Sequence, residues 1–140
     1  MQLSLTTDYA VRIILYLLEK GVVVKSQELS EKLCIPKTYV LKVTKKIEKS
    51  GLVTLYTGVN GGIAIAKRAE EITLWDVICS TEKTVKINKC LEEDGECSRQ
   101  EVANCPVREV YCMLQEAVKD RLSAIKFDSL LKTRKQKPEL

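Results

Sequence analysis

The amino-acid sequence predicts a mainly α-helical chain with one small β-hairpin. Apolar residues recur at intervals of three and four in several segments, which is the period of an amphipathic helix. Residues 57–62, by contrast, are rich in Gly and Asn and lie between two short β-branched segments, a pattern typical of a hairpin. The length of 140 residues and the 45% hydrophobic content fit one domain with one added dimerising element.

Two helices are predicted at the start of the chain. The first spans about residues 7–20, with Thr6 or Thr7 as its N-cap and Gly21 at its end. The second begins after Ser26 and ends near Cys34.

The third predicted helix is short, basic and amphipathic. It starts at Pro36, runs to about residue 49, and presents Val40, Val43 and Ile47 on one face toward a core. The polar residues around the rest of this helix include Lys37, Thr38, Lys42, Lys45, Lys46 and Lys49.

The hairpin is predicted from residues 52–56 and 63–66, so that the elements follow the order of a winged helix-turn-helix. A helix fits the major groove of DNA, its lysines can neutralise phosphates, and a Gly-rich wing can approach the DNA closely. The predicted DNA contacts are Lys37, Thr38, Tyr39 and Lys42 for reading, Lys45 and Lys46 for phosphates, and Thr57, Asn60, Gly61 and Gly62 in the wing. A protein-interaction domain is the alternative.

Two further helices are predicted beyond the wing. Residues 72–79 form a short one, with Thr73 as a possible cap and Trp75 in the core. Residues 106–126 form a long one that opens at Pro106 and carries an apolar stripe, which either pairs two copies of the chain or packs on its own domain.

The predicted layout has four parts, and charge differs among them. Residues 1–67 carry a net charge of +5, residues 68–131 carry −4, and the Lys/Arg-rich end carries +3. The parts are a winged helix-turn-helix domain over 1–80, a cysteine-bearing loop over 81–105, a dimerisation helix over 106–131 and a basic flexible tail over 132–140.

Composition excludes several function classes. There is no His, which removes His-dependent hydrolytic catalysis and His-based zinc sites, and the chain is predicted not to be an enzyme. No apolar run reaches the length of a membrane span, and the N-terminus does not resemble a signal peptide, so a cytoplasmic protein is expected.

Three of the six cysteines lie close together in a polar segment. Cys90, Cys97 and Cys105 are separated by six and seven residues, with an acidic run between the first two. Thiolates suit an iron–sulfur cluster or zinc, and Cys105 would lie at a helix N-terminus, which favours its thiolate. A thiol sensor without metal and inert cysteines are the alternatives.

The remaining candidates are weaker when taken alone. Cys112 lies two helical turns beyond Cys105 and is predicted to be a packing residue. Cys34 falls at the turn of the helix-turn-helix and Cys79 on the short apolar helix, and both are predicted to be small buried residues. Asp8, by itself, is an ordinary first-turn helix charge.

Over nearly the whole length, the sequence resembles the Rrf-type family of bacterial regulators that includes IscR, NsrR and CymR. The resemblance rests on the opening Leu3-Ser4 and residues 7–12, the turn and third helix over 33–40, the wing glycines, residues 72–78, and the three loop cysteines. It implies a homodimer that binds a near-palindromic DNA operator and uses an iron–sulfur cluster held by Cys90, Cys97 and Cys105 to change its DNA affinity.

The chain also departs from the family pattern. IscR-like members place a His ligand where this chain has Arg108, and a guanidinium cannot ligate because it stays protonated. NsrR-like members use an N-terminal Asp of the partner subunit, which Asp8 matches, so Asp8 is the predicted fourth ligand. The cysteine spacings exceed those typical of either group, which leaves 2Fe–2S and 4Fe–4S clusters both open.

The sequence therefore predicts a cytoplasmic transcription regulator controlled by an iron–sulfur cluster. A metal-free repressor of the same fold, controlled by its thiols or by a partner protein, is the alternative. A redox enzyme using the same cysteines is a third, and the absence of a phosphate-binding loop argues against it.

Overall fold

The fold is given by a computed structural model that describes residues 2–136. They form helices and one antiparallel two-stranded sheet in the predicted order. In chain order the elements are α1 (Leu5–Lys20), α2 (Ser26–Leu33), α3 (Lys37–Lys49), β1 (Val53–Tyr56), β2 (Gly62–Ile65), α4 (Leu74–Thr81), α5 (Pro106–Ala124) and α6 (Phe127–Gln136).

Helix α1 begins earlier than predicted because Ser4, and not Thr6 or Thr7, is its N-cap. The Ser4 hydroxyl accepts a bond from the Thr7 N–H. The predicted end is confirmed: Gly21 has a φ of 65° and donates its N–H to the Leu17 carbonyl over 2.9 Å.

A tight turn joins α2 to α3. Cys34 adopts a left-handed conformation with a φ of 53° and ends α2, while the Ser30 hydroxyl donates to the Ile35 carbonyl over 2.7 Å. The prediction that Cys34 is buried is wrong, because the neighbouring Ile35 occupies the buried position of this turn and leaves Cys34 exposed.

The core confirms the predicted inward face of α3. Val40, Val43 and Ile47 are fully buried against α1, whose Ile13, Ile14 and Leu17 are also fully buried. One apolar cluster therefore joins the helix-turn-helix to the first helix.

The wing is bound to the loop between α1 and α2. Strands β1 and β2 pair from Val53↔Ile65 to Tyr56↔Gly62. Val24 and Ile63 also exchange two backbone hydrogen bonds, each of 2.8 Å. Residue 24 therefore forms a one-residue antiparallel bridge with β2. The wing and the helix-turn-helix therefore form one unit.

Helix α4 has the predicted cap. The Thr73 hydroxyl accepts from the Asp76 N–H, and the Asp76 carboxylate accepts from the Thr73 N–H over 2.9 Å. Trp75 is half-buried and lines a cavity, so it is less enclosed than the core residue predicted. The prediction of a buried Cys79 is wrong, because Val77 and Ile78 take the buried side of this short helix.

The predicted element over 106–131 is divided into two helices. Helix α5 ends at Ala124, and the extended residues at 125–126 pair with the chain before α4: the Leu74 N–H donates to the Ile125 carbonyl over 2.9 Å. Helix α6 then begins at Phe127 and includes residues 132–136, which the tail prediction treated as flexible. The rest of the predicted tail, 137–140, lies outside the described residues. Within the described part of the chain, no helix is long and apolar enough to span a bilayer.

Candidate nucleic-acid interface and cysteine segment

The predicted reading residues form an exposed face at the start of α3. Lys37, Thr38, Tyr39 and Lys42 are all exposed. The Tyr39 ring packs edge-on against the Tyr9 ring of α1 with centroids 5.8 Å apart, and the Lys42 ammonium lies 5.8 Å from the Tyr39 centroid. These contacts connect the start of α3 to α1 through the Tyr9 ring.

Asp8 lies next to this aromatic pair. Its carboxylate is 2.6 Å from the Arg12 guanidinium, and the Arg12 guanidinium also lies 5.6 Å from the Tyr9 centroid. The Asp8 side chain is 48% exposed, so the predicted fourth ligand is accessible but is ion-paired within its own chain.

The wing carries no charged residue between positions 52 and 66. Thr57 and Asn60 are exposed near its tip, as a DNA contact requires. Gly61 and Gly62 are instead enclosed: a Cβ on Gly61 would lie 2.4 Å from the Tyr56 carbonyl oxygen, and one on Gly62 would lie 2.5 Å from the Val24 carbonyl oxygen. These two glycines are required by the close backbone packing of the hairpin, whatever they contact beyond it.

One further residue of this surface was missed by the sequence reasoning. The Lys25 ammonium, just before α2, donates to the Val59 carbonyl at the wing tip. The sequence carries no signal for this bond, because the two residues are brought together only by the pairing of residue 24 with β2.

The two predicted phosphate contacts differ in their surroundings. Lys45 is exposed, whereas Lys46 is half-buried and donates to the Thr81 carbonyl at the end of α4 over 3.1 Å. Helical neighbours one position apart point to different sides of α3, and only one of these two lysines lies free on the surface.

The three predicted thiol ligands lie on the irregular segment between α4 and α5, and all are half-buried. Thiols are the right donors for an iron–sulfur cluster. The segment as it stands does not gather them: among residues 2–136, no group of three or more Cys, Asp or Glu side chains is placed to hold a metal ion. Binding such a group would require this segment to rearrange.

Cys97 is the most activated of these thiols. The nearby backbone N–H groups of Arg99, Glu101 and Gln100, together with the Arg99 charge, lower the pKa of the Cys97 thiol despite some desolvation. Gln100 has a φ of 54° and donates its N–H to the Cys97 carbonyl over 2.9 Å, which closes a turn at this position. The turn therefore stabilises a thiolate at Cys97.

The other two thiols are linked to α5. Cys105 is the N-cap residue of α5 and lines one cavity with Cys112 and Arg108. The Arg108 guanidinium donates to the Cys90 carbonyl over 3.2 Å, so the residue that stands in place of a His ligand serves to hold the segment.

Gln115 of α5 anchors the first part of the segment. It is 5% exposed, accepts from the Ile87 N–H over 2.8 Å, and donates to the Val85 carbonyl over 3.1 Å. The sequence reasoning did not single out Gln115. Its polar side chain within an otherwise amphipathic helix was the available signal, but its backbone partners lie about thirty residues away.

The thiol environments predict different alkylation profiles. Cys97 is expected to react with iodoacetamide with a midpoint below the ordinary thiol pKa, because amide N–H groups stabilise its thiolate. Cys79 is expected to react with a higher midpoint, because partial desolvation of its sulfur and the nearby Asp76 raise its pKa, although the residue as a whole is exposed. Peptide mass spectrometry over a pH series measures both midpoints in one sample of metal-free protein. Equal midpoints would contradict the described turn.

Comparisons with known proteins agree with this architecture. The family model described as "Rrf2: Iron-dependent Transcriptional regulator" matches residues 3–133. The HTH-type transcriptional regulator NsrR of Shouchella clausii is 33% identical over 96 residues, which are 67% of this chain and 64% of that protein.

Two solved structures share the fold. CymR, the global cysteine regulator of B. subtilis, superposes with a TM-score of 0.74 at 20% identity and covers 95% of this chain and 98% of its own. IscR of T. potens superposes with a TM-score of 0.71 at 18% identity and covers 100% of this chain and 94% of its own.

These relatives are transcriptional regulators, and regulators of this kind are not enzymes, which confirms the sequence-based prediction on that point. The family match covers nearly the whole chain and agrees with the winged helix-turn-helix order and the exposed basic face of α3. The chain belongs to the Rrf2 family of DNA-binding transcriptional regulators.

Proposed function

We propose that this regulator acts in the cytoplasm as a homodimer on a near-palindromic operator, with α3 in the major groove of each half-site. The exposed face of α3, held by the Tyr9–Tyr39 ring contact, is the observation that carries the proposal. Lys37, Thr38, Tyr39 and Lys42 read the groove, while Lys45, Thr57 and Asn60 contact the backbone.

Helix α5 supports the dimer. Val107, Val110, Met113 and Leu114 are each more than half exposed along its first turns. Contiguous apolar surface on a helix favours a partner, and a second copy of the same helix supplies a complementary one under twofold symmetry. A twofold dimer also relates its two copies of α3 by the symmetry that relates the two half-sites of a palindrome.

Lys42→Ala is expected to weaken binding to a duplex that the protein selects from a random-sequence library by about tenfold. The ammonium lies against the Tyr39 ring on the exposed face, so its loss removes a groove contact without opening the core. Fluorescence anisotropy measures the affinity. Lys119→Ala, the same change on exposed α5, is the matched control.

Equal affinities of the Lys42→Ala protein, the Lys119→Ala protein and the unmodified protein would remove Lys42 from the reading face. Failure of the unmodified protein to enrich any duplex would contradict the operator-binding proposal itself.

The finer part of the proposal concerns control. Cys90, Cys97 and Cys105 hold an iron–sulfur cluster, and Asp8 of the partner subunit supplies the fourth ligand. When bound, such a cluster supplies a redox- and nitric-oxide-sensitive centre. The family description as iron-dependent, the similarity to NsrR and the thiolate-stabilising turn at Cys97 support this assignment.

Three features of the chain bear on how it would bind an iron–sulfur cluster. The amide N–H groups around Cys97 stabilise the charged form of the sulfur, and Arg108 and Gln115 fix the two parts of the segment to α5. Ligation by Asp8 would draw charge from the carboxylate that pairs with Arg12, and would so weaken the ionic contact beside the Tyr9–Tyr39 pair.

A metal-free thiol regulator is the second candidate, and one observation favours it. Among the described residues, the three thiols are not brought together to hold a metal ion, while the pKa of Cys97 is already lowered in that arrangement, which favours a thiolate there without any metal. Oxidation of such a thiolate, or binding of a partner protein to the segment, would then be the signal.

Iron and sulfide analysis of protein purified without oxygen distinguishes the cluster-controlled regulator from the metal-free thiol regulator. Iron and sulfide in stoichiometric amounts, with visible absorbance that is lost in air, would support the cluster. Colourless protein that stays so after anaerobic reconstitution with iron and sulfide would support the thiol regulator and leave the DNA-binding proposal unaffected.

A further inference from the structure

A small polar cluster lies where α1, α3 and α4 meet. It consists of Ser4, Thr7, Lys46, Thr81 and Glu82, and two of its members are almost fully buried: Thr7 is 1% exposed and Thr81 is 4% exposed. Polar groups buried in this way must be paired, so the geometry of the cluster fixes how these elements meet.

Short hydroxyl contacts join the members of the cluster. Thr7 donates its hydroxyl proton to the Glu82 carboxylate, which can only accept, and the Thr7 and Thr81 hydroxyl oxygens lie 2.6 Å apart. The Thr81 hydroxyl also lies 2.9 Å from the Val77 carbonyl of its own helix, to which it donates. The Ser4 N–H donates to the same carboxylate over 2.7 Å. Burial opposes ionisation of Glu82, but the bonds from Thr7 and Ser4 dominate and lower its pKa.

Lys46 joins α3 to this cluster. Its ammonium donates to the Thr81 carbonyl over 3.1 Å, one of the carbonyls that the last turn of α4 leaves without a helical partner. A cation is favoured there by the helix dipole as well as by the hydrogen bond. The last turn of α3 is thus tied to the end of α4.

The end of α4 is also the start of the cysteine-bearing segment. Glu82 follows α4 directly, and Gln115 holds residues 85–87 to α5 only a few positions later. Because residues 83–87 follow directly on Thr81 and Glu82, a rearrangement of the segment that displaces them acts on the end of α4.

We propose that Lys46 is a positioning residue that couples the cysteine-bearing segment to α3 through the Thr81 carbonyl, and that it does not contact DNA phosphates. This inference rests on the proposed DNA-binding function. It assigns different roles to two adjacent lysines. Lys45 neutralises a DNA phosphate, and Lys46 fixes the orientation of α3 relative to α4.

The salt dependence of DNA binding separates the two roles. Each lysine that neutralises a phosphate adds about one to the slope of log K against log salt concentration. For the full chain on its library-selected duplex, we expect Lys45→Met to reduce this slope by about one and Lys46→Met to leave it unchanged. Lys46→Arg, which keeps a cationic donor, serves as the conservative control.

A second measurement tests the coupling without any cofactor. Gln115→Leu releases residues 85–87 from α5, and we expect it to change DNA affinity by about fivefold or more, the lower end of typical allosteric couplings. The same substitution is expected to have no effect in a Lys46→Met background and its full effect in a Lys45→Met background. Circular dichroism checks that each variant is folded.

Three outcomes would overturn the inference: a slope reduced equally by Lys45→Met and Lys46→Met, an effect of Gln115→Leu that persists in the Lys46→Met background, or no effect of Gln115→Leu in the unmodified chain. Absence of any selected duplex would instead contradict the proposed function. The two failures are therefore distinguishable.

Discussion

Replacing Cys97 with Ser is expected to reduce the iron and sulfide bound by anaerobically purified or reconstituted protein to background. The metal ligand is the thiolate, and a serine hydroxyl of similar size does not ionise at neutral pH. The effect is expected to be all-or-none for Cys97→Ser and equally for Cys90→Ala and Cys105→Ser, because a cluster held by three protein thiols does not assemble on two.

The fold is expected to survive these changes. All three cysteines lie outside the apolar core, on a segment in which no residue between 82 and 105 is fully buried. Thermal unfolding followed by circular dichroism should therefore give the same midpoint for each variant and the unmodified protein, compared metal-free.

Cys79→Ser is the matched control for the iron measurement. Cys79 is exposed on α4, outside the cysteine-bearing segment, so its substitution should leave the iron and sulfide content unchanged. Full iron and sulfide in Cys97→Ser protein would show that the ligand assignment is wrong. The alkylation profile of Cys97 would still test its role as a bare thiolate.

Local chemistry explains the parts of the fold that the sequence predicts well. Gly21 at the C-cap of α1 and Thr73 at the N-cap of α4 are decided within a few residues, and both predictions are confirmed. The inward face of α3 is likewise a short-range pattern, because every third or fourth residue of one helix meets the same neighbour.

Long-range pairing explains the errors. The apolar stripe of α5 continues through Ile125, and no Gly or Pro marks the end of the helix. The break comes from backbone bonds between residues 125–127 and 72–74, about fifty positions earlier in the chain. Helix propensity and hydrophobic periodicity are properties of the local sequence, so they do not predict such a contact.

The features of the candidate site are likewise of two kinds, those decided by local sequence and those decided by long-range contacts. That α3 presents a basic face follows from its own sequence, but which of Lys45 and Lys46 remains free depends on where α4 ends. The enclosure of Gly61 and Gly62 depends on the hairpin fold and on residue 24. The three cysteines are gathered neither by spacing nor by the described arrangement of the segment.

Phe127→Ala is expected to lower the free energy of unfolding by about 3–5 kcal/mol, the usual cost of truncating a fully buried Phe. Phe127 is 0% exposed and belongs to the same apolar cluster as α1 and α3. Its N–H also donates to the Ile72 carbonyl over 3.0 Å, so its position is fixed by backbone and the surroundings cannot easily collapse into the cavity.

This cost tests whether α6 is part of the DNA-binding unit, and not an appendage to it. Helix α6 contacts α1, and Arg134 pairs with Glu19 of α1 over 3.1 Å. Urea unfolding at one protomer concentration, held constant because a dimer makes stability concentration-dependent, measures the free energy. Val59→Ala, at a side chain 93% exposed on the wing tip, should change it by less than about 0.5 kcal/mol. If Phe127→Ala lowers the free energy of unfolding no more than Val59→Ala does, α6 unfolds separately and the core of the winged helix-turn-helix is stable without it.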